Sequence, residues 1–252
     1  EISCSLVGSE MCIRDRNRLH KSTARMQQEE NVYMNEKFFD LSREKQDRMI
    51  NGALEVFAKN GYKHASTDDM VKAVDVSKGL WFHYFGSKAG LYTFVYGYSV
   101  KYMILELSSA MDAQEKDYFE VVRQMEYTKM RVSKSYPYMN LFLQESARET
   151  DEDILEQTQA DRKILKEKMD GILRNAEIEG ISEKAHRDRI KRMIRYTIEG
   201  VQHDKMVKTQ VEPETVYKEI KNYIELVKTL VRGTDLPAKE DMLDSPITNT
   251  LF

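Results

Sequence analysis

The sequence predicts an all-α protein. Only four prolines and eleven glycines occur in 252 residues, while the helix formers Lys, Glu, Met and Leu are abundant. Apolar residues also recur at helical spacing along most of the chain. No apolar run approaches the ~18–20 residues that span a bilayer. We therefore expect one or two compact helical domains and no membrane partner.

The first residues do not resemble a folded domain. The run LVGSEMCIRDR (6–16) resembles the in-frame translation of a sequencing-library adapter, and its charges leave no apolar segment for a signal peptide. We interpret residues 1–33 as an adapter-derived, non-native leader and expect translation to start at Met34. Cys4 and Cys12 both fall in this leader. The rest of the chain then offers no cysteine for a disulfide, a thiolate metal site or a nucleophile.

The stretch LSREKQDRMINGALEVFAKNGY is typical of a helix with defined ends. Ser42 suits the N-cap, and Gly61 follows the last turn. Between them, Ile50, Leu54 and Phe57 form an apolar stripe at helical spacing.

A second helix begins in STDDMVKAV, where Ser66 suits the N-cap and Asp69 stands at the capping-box position. After the turn DVS, a third helix of about eight residues is expected over 77–85. Two short helices joined by a turn of three or four residues match the helix-turn-helix unit. The second helix of that unit enters the DNA major groove.

The aromatic run WFHYF of the third helix divides between two faces. Trp81 and Phe85 lie on one side and are expected to pack on the first helix. A second side is basic, aromatic and sterically open. It carries Lys78, Gly79, Phe82 and His83. We therefore expect the first side to face the core and the second to face DNA.

Two ordered motifs, ALEVFAKNGYKHASTDDMVKAVDVSKG and then WFHYFGSKAGLY, occur within residues 43–96. Together they resemble the DNA-binding domain of the tetracycline-repressor (TetR) family of transcriptional regulators. The resemblance implies a helix-turn-helix DNA-binding domain at 34–86. It also implies a larger helical domain at 87–232, which dimerises and binds a small-molecule effector. We expect the tail at 233–252 to be mobile.

The resemblance also implies a set of DNA contacts. The residues are Ser66, Thr67, Lys78, Gly79, Leu80, Phe82, His83, Tyr84 and Lys88. Ser66, Thr67 and Lys88 would lie near phosphates, and Gly79 would let the backbone approach DNA closely. His83 would donate to a guanine acceptor or a phosphate.

Three positions bear on specificity. Phe82 stands where the family usually has tyrosine, which favours contact with a thymine methyl group. Leu80 replaces a common Thr or Ser and removes one hydrogen-bonding side chain. Tyr84 suits either the core or a phosphate contact. The operator sequence therefore does not transfer from any relative.

The stretch SKAGLYTFVYGYSVKYMILELSSAMD predicts a long fourth helix capped by Ser87. Further helices are expected over about 117–134, 138–149, 152–179, 182–207 and 213–232. Aromatic and methionine residues in the first two of these are candidates for an effector pocket, although such stripes are more often simple core. The candidates are Phe119, Met125, Met139 and Phe142.

The last two helices carry the strongest apolar stripes, and part of each stripe must serve the core of the single chain. The resemblance implies that these two helices also form the dimer interface. The interface candidates are Ile190, Ile194, Ile198, Val216, Ile220, Ile224 and Val227. A dimer would place two recognition helices about 34–36 Å apart on a two-fold operator.

Two polar features suggest no further site. The basic run KAHRDRIKRMIR (184–195) lies opposite its own apolar stripe and is expected to be a solvated, salt-bridged face rather than a second DNA site. Glu199 and His203 are spaced four apart but have no third ligand, so we expect no metal.

The sequence thus predicts a homodimeric, ligand-responsive repressor of a palindromic operator in the bacterial cytoplasm, without a cofactor. The sequence argues against an enzyme, because it has no glycine-rich phosphate loop and its five histidines suggest no nucleophile–base arrangement by their spacing. The alternative is a helical adaptor of the same fold that has lost DNA binding. Leu80 and the net charge of −3 leave that alternative open.

Overall fold

The computed structural model describes residues 37–74, 76–208 and 212–233, and from residue 43 onward these form nine helices. They are α1 (Arg43–His64), α2 (Thr67–Val74), α3 (Lys78–Phe85), α4 (Lys88–Ala110), α5 (Tyr118–Ser135), α6 (Met139–Ser146), α7 (Glu152–Leu173), α8 (Lys184–Lys208) and α9 (Pro213–Arg232). The all-α prediction is confirmed, since the described residues contain no strand. The predicted leader, the start at Met34 and all of the tail after Gly233 lie outside the described residues.

The chain divides into two compact units. Among the described residues, the first comprises those up to Ala53 and those within Ser66–Val95, and the second comprises Leu54–Ala65 and those from Tyr96 onward. α1 and α4 contribute residues to both units. The boundaries at 86 and 232 stay predictions. Within the described ranges, no helix is long and apolar enough to cross a membrane.

An aromatic cluster forms part of the core of the first unit. The Phe38 ring lies 5.3 Å from that of Phe85 and 5.2 Å from that of Phe94, and the Phe85 and Phe94 centroids are 4.9 Å apart. Met49 and Met70 are completely buried in the same unit. Aromatic pairs at such distances add stabilisation beyond the burial of their area.

The corner between α3 and α4 depends on two glycines. Gly86 has a φ of 68°, a value that favours glycine, and its N–H donates to the Phe82 carbonyl at 2.9 Å. Ser87 Oγ accepts from the Gly90 N–H at 3.0 Å, so the predicted cap of the fourth helix is confirmed. A Cβ atom at Gly90 would overlap the Phe85 carbonyl oxygen. The close approach of α4 to the end of α3 therefore requires glycine at position 90.

Helix α5 is central to the second unit, because α6, α7 and α9 all pack against it. Helix α8 packs on α6 and α9. Asp117, which immediately precedes α5, links that helix to α9. Its Oδ1 accepts from the Phe119 N–H at 3.2 Å, while its Oδ2 pairs with Arg232 at 2.9 Å and Lys228 at 3.4 Å. The start of α5 is thereby tied to the end of α9.

The predicted end of the helix over 152–179 was wrong, because α7 stops at Leu173. The following segment leaves the helix to pair with the chain just before α5. The Tyr118 N–H donates to the Glu177 carbonyl at 2.9 Å, and the Glu177 N–H donates to the Lys116 carbonyl at 2.8 Å. Ala176 and Ile178 are buried on either side of this bridge. The non-local pairing and the burial of these two side chains replace the last helical turns.

We expect Gly90→Ala to lower the free energy of unfolding by about 1–3 kcal/mol, because the added methyl group would overlap the Phe85 carbonyl. Urea denaturation measures the change. Gly79→Ala is the matched control, since a Cβ at position 79 meets no atom within 4 Å. The control should keep or slightly raise stability. Equal stability of the two variants would contradict the importance of this close approach.

Candidate functional site

The candidate site is formed by α2 and α3. The Ser66 hydroxyl oxygen accepts from the Asp68 N–H at 3.2 Å at the start of α2. The Ser77 hydroxyl oxygen accepts from the Leu80 N–H at 3.3 Å at the start of α3. Both short helices therefore begin at a serine that satisfies a free backbone donor.

One face of α3 is buried. Trp81 and Phe85 are each 3% exposed, and Tyr84 is 8% exposed with its ring edge-on to Phe38 at 5.9 Å. The Trp81 indole N–H has no acceptor among the described residues, which costs about 1–3 kcal/mol. Burial of an aromatic side chain contributes about 1.5–3 kcal/mol, so three buried rings outweigh that cost. The ring of Tyr84 thus belongs to the core.

The opposite face of α3 is open. Lys78, Gly79 and His83 are exposed, and the Phe82 side chain is 40% exposed. Leu80 is half-buried at the edge of this face. The division of the aromatic run between core and surface is therefore the one that the helical spacing predicts.

An ion pair joins the N-terminal ends of the two helices. Lys78 Nζ lies 2.8 Å from Asp68 Oδ1, and both side chains are largely exposed. The hydrogen bond and charge of Lys78 lower the pKa of the Asp68 carboxyl below its usual value. Sequence analysis did not predict this contact, whose two residues lie ten positions apart.

The remaining predicted DNA-contact residues lie near the starts of α2 and α4 and in α3. Ser66 and Thr67 are partly exposed at the start of α2, and Lys88 is partly exposed in the first turn of α4. The His83 ring packs edge-on to Tyr84 at 5.0 Å.

The second unit contains a cavity of about 650 Å³. Met125 is part of its wall, as the sequence predicts for an effector pocket. Phe119, Met139 and Phe142 are not among the cavity-lining residues, and each is at most 1% exposed. Met103 of α4 and Ile194 of α8 are further wall residues, which sequence analysis did not assign to the cavity.

The predicted dimer stripes are largely buried within one chain. Ile194, Ile198, Val216, Ile220 and Ile224 are between 1% and 7% exposed, and Ile190 and Val227 are partly exposed. Other apolar side chains of the same helices face solvent. They are Met193 and Tyr196 on α8 and Tyr223 and Leu230 on α9, between 42% and 65% exposed.

The spaced pair Glu199 and His203 forms two separate contacts. Glu199 pairs with Arg195 at 3.1 Å, and His203 Nδ1 lies 3.5 Å from Glu145. No group of three or more His, Cys, Asp or Glu side chains in the described part of the chain could hold a metal ion.

Known proteins resemble this chain in the sequence of its N-terminal region and in its fold. Residues 49–93 match the family model of the bacterial regulatory proteins, tetR family. The solved structure of a TetR family transcriptional regulator, PfmR from Thermus thermophilus, is similar at 22% identity and a TM-score of 0.51, covering 75% of this chain and 100% of that one. A TetR-like transcriptional regulator from a Rhodococcus species gives 19% identity and a TM-score of 0.47, with 77% and 97% covered. No match was found among the curated proteins.

The match over residues 49–93 confirms the resemblance to the TetR family. The likeness to PfmR shows the fold, in which an N-terminal helix-turn-helix region precedes a larger helical domain. The chain therefore has the fold of a TetR-family transcriptional regulator, and the family match covers the part of the chain that contains α2 and α3.

We expect Asp68→Asn to raise the affinity for DNA about two- to five-fold, because it releases Lys78 from its ion pair. Fluorescence anisotropy with a duplex that the wild-type protein selects from a random library measures the change. Asp69→Asn is the matched control: it makes the same charge change, but Asp69 lies 3.9 Å from Lys72 instead. An equal gain in both variants would mean that only net charge matters.

Proposed function

We propose that the chain is a ligand-responsive repressor that binds a palindromic operator as a homodimer in the bacterial cytoplasm. The observation that carries the proposal is the two-sided α3, which buries Trp81, Tyr84 and Phe85 and exposes a basic and aromatic face. A helix held in this way by a helix-turn-helix unit fits the DNA major groove.

Each exposed group has a role in that groove. Lys78 exchanges Asp68 for a phosphate, and His83 donates to a guanine acceptor or a phosphate. Phe82 contacts a thymine methyl group, and Gly79 leaves room for the DNA backbone. Four further residues complete the proposed contact set. They are Ser66, Thr67 and Lys88 at phosphates and Leu80 at the base edges, while Tyr84 contributes its hydroxyl at most.

The solvent-facing side of α8 and α9 supports a dimer. These helices pack on each other, and each keeps large apolar side chains in solvent after the single-chain core is complete. Tyr196 is 58% exposed and Leu230 is 65% exposed. A second copy that covers this side would remove the apolar area from water. The partly exposed Ile190 and Val227 would lie at the margin of the same interface.

The cavity supports a response to a small molecule. Its volume of about 650 Å³ lies within the range of about 300–1,000 Å³ that is usual for ligand pockets. Helix α4 contributes Met103 to the cavity wall and Lys88 to the DNA-contact set. An effector changes DNA binding only if it binds the DNA-bound and DNA-free states with different affinity.

Selection from a random DNA library tests the proposal. The wild-type protein should enrich a palindromic sequence, bind it with an affinity that falls as salt rises, and lose it in the Lys78→Ala/His83→Ala variant. Enrichment of no sequence, with wild type and double variant binding DNA equally weakly, would favour the adaptor of the same fold.

Gly79→Ala separates DNA contact from folding. We expect it to lower operator affinity at least about ten-fold because the methyl group occupies space needed by the DNA backbone. The free protein has no atom within 4 Å of the added group, so its thermal midpoint should not fall. Anisotropy and thermal unfolding of the same sample give both results. Unchanged affinity would remove Gly79 from the interface.

Tyr196→Asp combined with Leu230→Asp should convert a dimer to a monomer, because both charges would be buried at the proposed interface. Sedimentation equilibrium measures the mass, and operator affinity should fall with it. Ile164→Asp on α7 is the control, since Ile164 is similarly exposed at 51% but lies on neither interface helix. A double variant that stays dimeric would refute this interface.

A further inference from the structure

The cavity of the second unit has an apolar interior. Its wall includes Met103, Val122, Met125, Leu165, Met169 and Leu173, from α4, α5 and α7. Flexible side chains such as methionine can change rotamer to fit a hydrocarbon chain, whereas rigid side chains cannot. The interior therefore suits an apolar chain or body rather than a sugar or a highly polar molecule.

Two buried or partly buried carboxylates in the cavity wall are already neutralised. Glu126, only 4% exposed, pairs with Lys129 at 2.6 Å and accepts from Gln202 at 3.0 Å. Glu199 pairs with Arg195 at 3.1 Å. Neither carboxylate is free to attract a cationic ligand.

Two cations of the wall have no acidic partner among the described residues. They are Lys191 and Arg192, both in α8. The Lys191 ammonium donates to the Ala176 carbonyl at 3.1 Å and lies 4.9 Å from the Tyr118 ring centroid. Burial raises the pKa of Tyr118 to about 12, so this phenol is neutral near pH 7 and does not offset the charge.

Two other basic residues of the run 184–195 make their polar contacts outside the cavity wall. His186 lies 3.3 Å from Glu183, and Arg187 donates to two backbone carbonyls at 2.7 Å. Lys191 therefore differs from a solvated surface lysine, because it is partly buried, held in place by neutral groups and part of an apolar cavity.

We propose that this cavity binds an amphipathic anion, with an apolar chain in the interior and one acidic headgroup at Lys191 and Arg192. The carboxylates of the wall are already paired with Lys129 and Arg195, so an acidic headgroup would neutralise Lys191 and Arg192 without displacing an ion pair. The apolar chain would remove the methionine and leucine side chains from water. The inference deepens the proposed function, since it names the chemical class of the effector, and rests on it for the regulatory role.

Calorimetry with decanoate and decan-1-ol at pH 7.5 tests the headgroup assignment. The wild-type protein should bind decanoate at least about ten-fold more tightly than decan-1-ol. Lys191→Met/Arg192→Gln should remove that preference and leave the affinity for decan-1-ol unchanged. Comparing two probes in two proteins separates the interaction of the headgroup with the cations from any general effect of the substitutions on folding.

Lys163→Met provides the control. Lys163 lies on α7, which also lines the cavity, but its side chain is 76% exposed and outside the wall. The control variant should bind both probes as the wild type does. Decyl phosphate is a third probe: if it binds more tightly than decanoate and depends on the same two cations, the acidic headgroup is a phosphate.

Three results would overturn the proposal. In the first, the wild type binds neither decanoate nor decyl phosphate. In the second, it binds decanoate and decan-1-ol with equal affinity, and in the third, the double variant loses affinity for decanoate and decan-1-ol equally. The measurement contains no DNA, so it stands apart from the repressor proposal. If decanoate binds in the expected pattern, fluorescence anisotropy of the selected operator with and without decanoate tests the ligand response separately. Unchanged operator affinity would refute that response and leave the ligand class supported.

Discussion

Helix α3 must bury three aromatic side chains within eight residues and still present an open surface. Helical geometry meets both demands, because Trp81 and Phe85 fall on one face while Lys78 and Phe82 fall on another. The buried rings set the rotation of the helix, and that rotation decides which groups reach solvent. The corner after α3 then brings α4 so close that only glycine fits at position 90. The packing of the first unit therefore also determines which residues its candidate DNA surface exposes.

The two units use charge in different ways. In the first, solvent screens the exposed ion pair of Lys78 and Asp68, so little free energy is lost when Lys78 leaves Asp68 for a phosphate. In the second, Glu126 is almost fully buried, and its pairing with Lys129 and Gln202 is costly to disrupt. The first arrangement suits a reversible contact with DNA. The second joins α5 to α8 at the cavity wall.

Local sequence predicted the features that depend on neighbouring residues. The caps at Ser66 and Ser87 and the two faces of α3 follow from spacing within a few residues. The end of α7 did not, because the bridge between Glu177 and Lys116 joins segments far apart in sequence. Periodicity also cannot tell burial within a chain from burial between chains. The stripes predict that Ile194 and Ile220 are buried, and the single chain buries both. Their assignment to a dimer interface follows from the family resemblance and stays a prediction.

Photo-crosslinking from position 82 tests the central claim most directly. A benzophenone amino acid replaces Phe82, which is 40% exposed on the open face of α3, and the protein is irradiated with its selected operator. The same substitution at Leu105, 66% exposed in the second unit, is the control. Covalent protein–DNA product from position 82 and none from position 105 is the predicted result. Operator binding without crosslinking at position 82, or equal crosslinking at both positions, would contradict DNA recognition by this face.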